Sequence, residues 1–282
     1  LLARLSRCIA DGTVSRVGAV FRPGAIGVST LAAIAVPADR LDQVAAIVSA
    51  RAEVNHNYER EHRYNLWFVA TAPDPGRLEA ALRGIAAETR CTPLLLPLVA
   101  DYWIDLGFDL AGGTEDDGQG ARRAVPPRAS APVALSPLDA RLIAALEAGL
   151  PLVERPYQAL ARAAGLTEAG VIDRLATWLR QGAIRRFGVV VRHRALGYVA
   201  NAMCVWDVPD AEVDAHGAAL AREQGITLCY RRARALPAWG YNLYCMIHGR
   251  DRDRVRERVA ALAARHALDR HPAAVLFSRR AF

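Results

Sequence analysis

Lysine is absent from this 282-residue sequence: all 36 residues counted as Lys+Arg are Arg, set against 29 Asp+Glu for a formal charge of +7. Methionine is scarce, at 2, and aromatic residues reach only 7%. No long hydrophobic run exists. The longest uncharged stretch, residues 23–38, holds two prolines and is shorter than the roughly 18 apolar residues a membrane helix requires, so no transmembrane helix is expected. The start Leu1-Leu2-Ala3 lacks a charged segment followed by an apolar one, so no signal peptide is expected. Cys8, Cys91, Cys204, Cys229 and Cys245 are odd in number and contain no C-x-x-C, which predicts reduced, mostly buried thiols in a cytoplasmic protein. H-E-x-x-H, glycine-rich phosphate loops and Cys/His zinc spacings are also missing. What remains is globular: 52% hydrophobic and 23% charged residues, in a length that suits about two domains. The basic surplus calls for an anionic partner, either nucleic acid or a polycarboxylate.

The sequence repeats itself. Residues 12–22 match 182–192 at an offset of 170, Val36-Pro37 and Tyr58-x-Arg60 match Val208-Pro209 and Tyr230-x-Arg232 at 172, and Tyr64-Asn65-Leu66 matches Tyr241-Asn242-Leu243 at 177. Growing offsets between two long copies indicate a duplicated domain with loop insertions, not a solenoid. Periodicity predicts strand, helix, hairpin, helix, strand in each copy. The first spans 28–36, 38–50, 54–60 with 64–70, 75–89 and 93–99; the second spans 197–206, 209–224, 226–232, 239–248, 251–266 and 272–278. That order is the ferredoxin-like βαββαβ unit.

Before the second copy, Ser136-Pro137-Leu138-Asp139 predicts a capped helix, residues 157–164 a second, and Thr167 the cap of a third whose Val171, Leu175, Trp178 and Leu179 face inward. Three such helices and a strand make a winged helix-turn-helix. Residues 1–10 align with 171–180, so they are expected to form the last helix of a first such unit. The expected fold class is therefore α+β: a duplicated winged helix-turn-helix plus βαββαβ unit forming a pseudo-dimer, its first helix-turn-helix incomplete. The expected boundaries are a remnant at 1–22, ferredoxin-like domains at 23–110 and 193–282, a Gly/Pro-rich linker at 111–134 and the second winged helix-turn-helix at 135–192.

This arrangement resembles the Lrp/AsnC family. Within it, His56-Asn57-Tyr58-Glu59-Arg60, Tyr64-Asn65-Leu66-Trp67-Phe68, Cys229-Tyr230-Arg231-Arg232, Trp239-x-Tyr241-Asn242-Leu243 and Met246-Ile247-His248-Gly249 are similar to the sirohaem decarboxylases. The first copy looks like their D-type subunit and the second like their L-type subunit. The resemblance implies removal of the acetate carboxyls at C12 and C18 of sirohaem as CO2, giving 12,18-didecarboxysirohaem in haem d1 synthesis. It implies no external cofactor, since the iron belongs to the substrate. As partners it implies the anionic tetrapyrrole, related D/L/G/H-type subunits or a second copy, with neither membrane nor nucleic acid.

For such a substrate, Arg60, Arg231 and Arg232 are candidate carboxylate clamps, because a guanidinium stays charged and binds carboxylates through two parallel bonds. Trp67, Trp239 and Tyr241, with Tyr64, Asn65 and Asn242 from the same motifs, are candidates for lining the macrocycle. Strand alternation puts His56, Tyr58 and Arg60 on one face and Asn55, Asn57 and Glu59 on the other. In the second copy Leu228 stands where His56 would be. His56 is the leading candidate for general acid, His248 the second, with Tyr58 and Tyr230 as hydrogen-bond donors; either histidine is also a candidate ligand of the substrate iron. The rival expectation is an Lrp/AsnC-type DNA-binding regulator with a small-molecule or haem sensor. Against it stands the start of the reading helix, Thr167-Glu168-Ala169-Gly170, which is acidic where base-reading helices carry Arg, Lys, Asn or Gln.

Overall fold

The computed structural model describes residues 1–104 and 133–282; the expected linker falls almost wholly outside them. In chain order the elements begin with α1 (Leu2–Ala10), β1 (Val14–Phe21), β2 (Val28–Ile34), α2 (Leu41–Ser49), β3 (Val54–Arg60), β4 (Leu66–Ala72), α3 (Pro75–Thr89) and β5 (Leu94–Ile104). There follow α4 (Pro137–Glu147), α5 (Pro156–Ala164), α6 (Glu168–Arg180), β6 (Ile184–Val191), β7 (Ala200–Trp206), α7 (Val213–Leu220), β8 (Ile226–Arg232), β9 (Leu243–Gly249), α8 (Arg252–Arg265) and β10 (Ala273–Ala281). Among the described residues, 1–28 with 133–197 make one compact unit and 29–104 with 198–282 another.

The first unit is the helix-turn-helix. Ser136 and Asp139 form a reciprocal capping box at α4 with Pro137 behind the cap, and the Thr167 side chain accepts from the Gly170 N–H at the start of α6. Gly165 ends α5 in the left-handed conformation, at φ +70°, that glycine adopts without strain. Leu142, Leu146, Leu160, Val171, Leu175 and Trp178 are buried together. Leu179, expected to face inward, is exposed, because Trp178 takes the last inner position of the helix. The matching stretches 12–22 and 182–192 turn out to be partners: β1 pairs with β6 antiparallel, Gly18 opposite Gly188.

In the second unit the two βαββαβ copies close into one barrel of order β10-β3-β4-β2-β5-β8-β9-β7. Closure depends on the last strand of each copy. The first part of β5 pairs with β2, Leu31 opposite Leu96, and its continuation crosses to β8 of the other copy, Asp101 opposite Tyr230. β10 does the converse, pairing with β7 and then with β3, Ser278 opposite Arg60. Both strands therefore run beyond their expected ends at Val99 and Ser278. Beneath the crossing, Gly217 of α7 has no room for a side chain: a Cβ there would lie 2.1 Å from the Tyr102 ring. The helices cover the outside, where α2 and α3 pack on Leu66, Phe68 and Ala70, and α7 and α8 on Cys204, Cys229 and Cys245. These three thiols are buried and free.

The repeated Val-Pro and Tyr-Asn-Leu strings prove to be two ends of one device. Asn65 Oδ1 accepts from the Val36 N–H at 2.9 Å and its Nδ2 donates to the Val36 carbonyl at 2.9 Å. Asn242 does the same to Val208, at 3.0 and 2.9 Å. Pro37 and Pro209 then begin turns before α2 and α7, with Arg40 N–H on the Pro37 carbonyl and Glu212 N–H on that of Pro209. These turns shorten both helices relative to the expected 38–50 and 209–224. Asn242→Ala strands two backbone groups beside a residue only 1% exposed, so a loss on the order of 2 kcal/mol is expected in urea denaturation.

Candidate active site

One apolar cluster of the barrel unit takes residues from both copies and from no helix: Leu31, Ala33, Trp67 and Leu96 of the first, with Met203, Val205, Tyr230, Trp239, Tyr244, Met246 and Leu276 of the second. Strand alternation makes this the inner wall. His56 lies opposite Val69 and Tyr58 opposite Trp67, so both face inward; Leu228 lies opposite Met246 and Tyr230 opposite Tyr244 in the matching places. Asn57 faces outward and donates to the Ala45 carbonyl and Ser49 Oγ of α2.

The inner wall departs from two-fold symmetry at its titratable positions. His56 is exposed and stacks on the half-buried Tyr58, ring centroids 6.3 Å apart, whereas Leu228 supplies no polar atom. The reverse holds on β4 and β9: Thr71 in the first copy corresponds to His248 in the second. Both copies carry a bulge beside these residues, between Val54 and His56 and between Ile226 and Leu228. The inserted residues make equivalent bonds, Asn55 Nδ2 to Thr71 Oγ1 at 2.8 Å and Thr227 Oγ1 with His248 Nδ1 at 3.0 Å. Asn55 thus bonds a residue of the His56 side of the sheet, contrary to the expectation from simple alternation, because a bulge places two residues against one.

The β8–β9 connection, residues 233–242, is longer than its counterpart at 61–65, and the extra length delivers Trp239. A hairpin closed by both backbone bonds between Ala235 and Trp239 presents the indole, 2% exposed, to first-copy rings. Its centroid lies 5.1 Å from Trp67, 5.2 Å from His62 and 6.0 Å from Tyr64, and 4.8 Å from Tyr241. Its Nε1 donates to Tyr244 Oη at 2.7 Å, while Trp67 Nε1 donates to the Tyr64 carbonyl at 2.6 Å. Trp239 and Trp67 are therefore packed and bonded inside the plug; Tyr64 and Tyr241 remain half-buried at its edge. His62, which the sequence motifs did not single out, accepts the Tyr64 N–H on Nδ1 at 3.1 Å. Burial, with Arg63 beside it, lowers its pKa and so favours the neutral ring. Its one legible signal was adjacency to the Tyr64-Asn65-Leu66 string.

The arginines divide. Arg60 Nη1 donates to the Leu276 carbonyl at 3.0 Å and Arg232 Nη1 to the Leu96 carbonyl at 2.8 Å, so each ties its strand to the crossing strand of the other copy. Arg232 lies over the Tyr230 ring at 4.6 Å, Arg60 over Tyr58 at 5.8 Å. Arg232 Nε is buried and unbonded among the described residues. Three candidates need correction. Arg231 faces outward, with Nη2 2.8 Å from Asp210 and Nη1 3.4 Å from Asp214, since alternation separates it from Arg232. Asn65 and Asn242 spend their amides on Val36 and Val208 and belong to the frame.

The family model for an "AsnC-like ligand binding domain" matches residues 25–102 and 195–282, and that for a "Siroheme decarboxylase NirDL-like HTH domain" matches 139–185. The siroheme decarboxylase NirDL subunit of Paracoccus denitrificans is 46% identical over 283 residues, covering 100% of this chain and 85% of that protein. The chain belongs to the sirohaem decarboxylase family. A NirL subunit of the family from Stutzerimonas stutzeri is 50% identical over 49% of this chain and 81% of its own length. A crystal structure of the decarboxylase NirDL in co-complex with an iron-uroporphyrin III analogue has a TM-score of 0.69 at 27% identity, covering 99% of this chain and 80% of that one. In α6, the helix that would read DNA in a regulator, Arg174 Nε bonds Asp139 at 2.8 Å, Glu168 pairs with Arg155, and Arg180 bonds Thr177 of the same helix. Burial raises the Asp139 pKa, but bonds from Ser136 and Arg174 outweigh it and hold the carboxyl below its ordinary value. Among the described residues no helix is long and apolar enough to cross a membrane.

Proposed function

We propose that this chain is a carbon-carbon lyase that removes the C12 and C18 acetate carboxyls of sirohaem as CO2, with the exposed end of the barrel's inner wall, around His56, as the reacting surface. The carrying observation is the exposed His56 on a wall of aromatic and arginine side chains, in a chain alike over its whole length to a siroheme decarboxylase. In each step the bond between the acetate methylene and its carboxylate breaks and CO2 leaves. The electron pair passes into the conjugated macrocycle, and a proton added at the same carbon gives a methyl group. No oxidant enters the balance, and the reading requires no cofactor beyond the iron the substrate brings.

His56 donates that proton, since an imidazole near neutral pH holds one and is readily reloaded from solvent. Tyr58, stacked on it, orients the ring; His248, fixed by Thr227, and Tyr230 beneath Arg232 contact the substrate from the other copy. Arg232, through its buried Nε, and Arg60 bind peripheral carboxylates, and the edges of Tyr64 and Tyr241 meet the macrocycle. Related D-, L-, G- or H-type subunits are the expected protein partners. Anaerobic incubation with sirohaem, with and without such subunits, followed by mass analysis of the tetrapyrrole tests the reading. The mass of one CO2 should be lost per acetate. Unchanged sirohaem with all subunits present would falsify it.

A further inference from the structure

Outside the barrel, a cluster that the proposed reaction does not use brings together Glu212, His216 and His271. Glu212 caps α7 and His216 follows one turn later, so both side chains lie on one face of the helix. His271 comes from the turn before β10, a turn held by its own N–H on the Leu268 carbonyl at 3.1 Å and by the Asp207 N–H on the Pro272 carbonyl at 2.9 Å. One ligand atom from each of the three lies within 4.8 Å of the others. His216 Nε2 is 3.8 Å from Glu212 Oε2, and the two imidazoles meet edge to face at 5.7 Å.

Two further observations give this grouping chemical direction. His271 Nε2 is buried and has no hydrogen-bond partner among the described residues, a costly state for an imidazole nitrogen that a bound cation relieves. Burial, with His271 and Arg270 beside it, lowers the His216 pKa, favouring the neutral ring that ligates metals.

We propose that Glu212, His216 and His271 form a binding site for a zinc-class divalent cation that clamps α7 to the turn leading into β10. Two imidazoles and one carboxylate suit zinc or cobalt better than the all-oxygen shells of magnesium and calcium, and water completes a tetrahedron. Such a tetrahedron, with bonds of about 2.0–2.1 Å, sets ligand atoms about 3.3 Å apart. Small rotations of the exposed Glu212 and the two rings close that gap.

The test is a titration of the chelator-treated full chain with cobalt(II), followed by visible absorption, and with zinc, followed by thermal melting. The parent should develop tetrahedral cobalt bands saturating at one equivalent and should melt higher with zinc. His216→Ala and His271→Ala should each weaken binding about 100-fold and Glu212→Gln about 10-fold, at least the range that lost supporting contacts cost metal sites. His56→Ala should bind as the parent does. Absence of cobalt bands and of a zinc-induced shift in the parent overturns the site, as does parent-like affinity in both histidine variants or loss of binding in His56→Ala. Should a histidine variant fail to fold, Glu212→Gln, on the exposed end of the helix, carries the comparison alone.

Discussion

His56→Ala lowers kcat for sirohaem decarboxylation by about 100- to 10,000-fold, the usual contribution of a positioned general acid, while substrate affinity stays near that of the parent. The expectation rests on where the ring stands. It is exposed on the inner face of β3, its stacking partner Tyr58 belongs to the same strand, and the matching position of the second copy is Leu228, which cannot hold a proton. Removing it therefore takes away a proton source without dismantling the wall. Single-turnover rates and equilibrium binding, measured separately, distinguish this from a binding defect. A full rate in His56→Ala would transfer the role to His248, whose own alanine variant is the paired experiment. Arg232→Ala should show the opposite split, weakened binding with a smaller change in kcat.

Trp239→Ala costs about 3–5 kcal/mol in folding stability, the range for truncating a buried large aromatic. The side chain is buried against Trp67, Tyr241 and His62, and its loss also leaves Tyr244 Oη without its donor inside a buried cluster. Burial pushes the Tyr244 hydroxyl far above its ordinary pKa, so that oxygen cannot ionise to recover solvation. Denaturant midpoints of the parent, Trp239→Ala and Trp239→Phe separate volume from hydrogen bonding. Phe should recover most of the loss, and equal midpoints for parent and Ala would show that the indole is not the plug.

Much of this was legible in the sequence because duplication prints every local device twice. The capping box at Ser136, α3 and the hairpin strand of His56 lie where periodicity placed them, since each is decided by neighbours a few residues away. The crossing ends of β5 and β10 were not. Asp101 and Arg279-Arg280 interrupt an apolar run and read as its end, yet Asp101 faces Tyr230, and Arg280 Nε bonds Glu59 at 2.6 Å across the seam. Their partners lie in the other copy, beyond any local window. Asn65 and Asn242 read as substrate contacts for a related reason: Val36 and Val208, which use both ends of each amide, lie in the same copy but 29 and 34 residues away. Arg231 was misjudged through its neighbour Arg232, although period-two alternation already set them on opposite faces. The meeting of Glu212 and His216 with His271 depends on tertiary packing alone.

The exchange of β5 and β10 has a consequence for how such a pair responds to dilution. A barrel closed by two separate chains comes apart as concentration falls, because its seam is an association equilibrium. Here both crossing strands belong to one polypeptide, so each half meets the other at an effective concentration set by the chain itself. Closure is then independent of expression level, and the halves are held at one-to-one stoichiometry. Under that guarantee the two copies can differ residue by residue, as Leu228 differs from His56 at the matching position and Thr71 from His248.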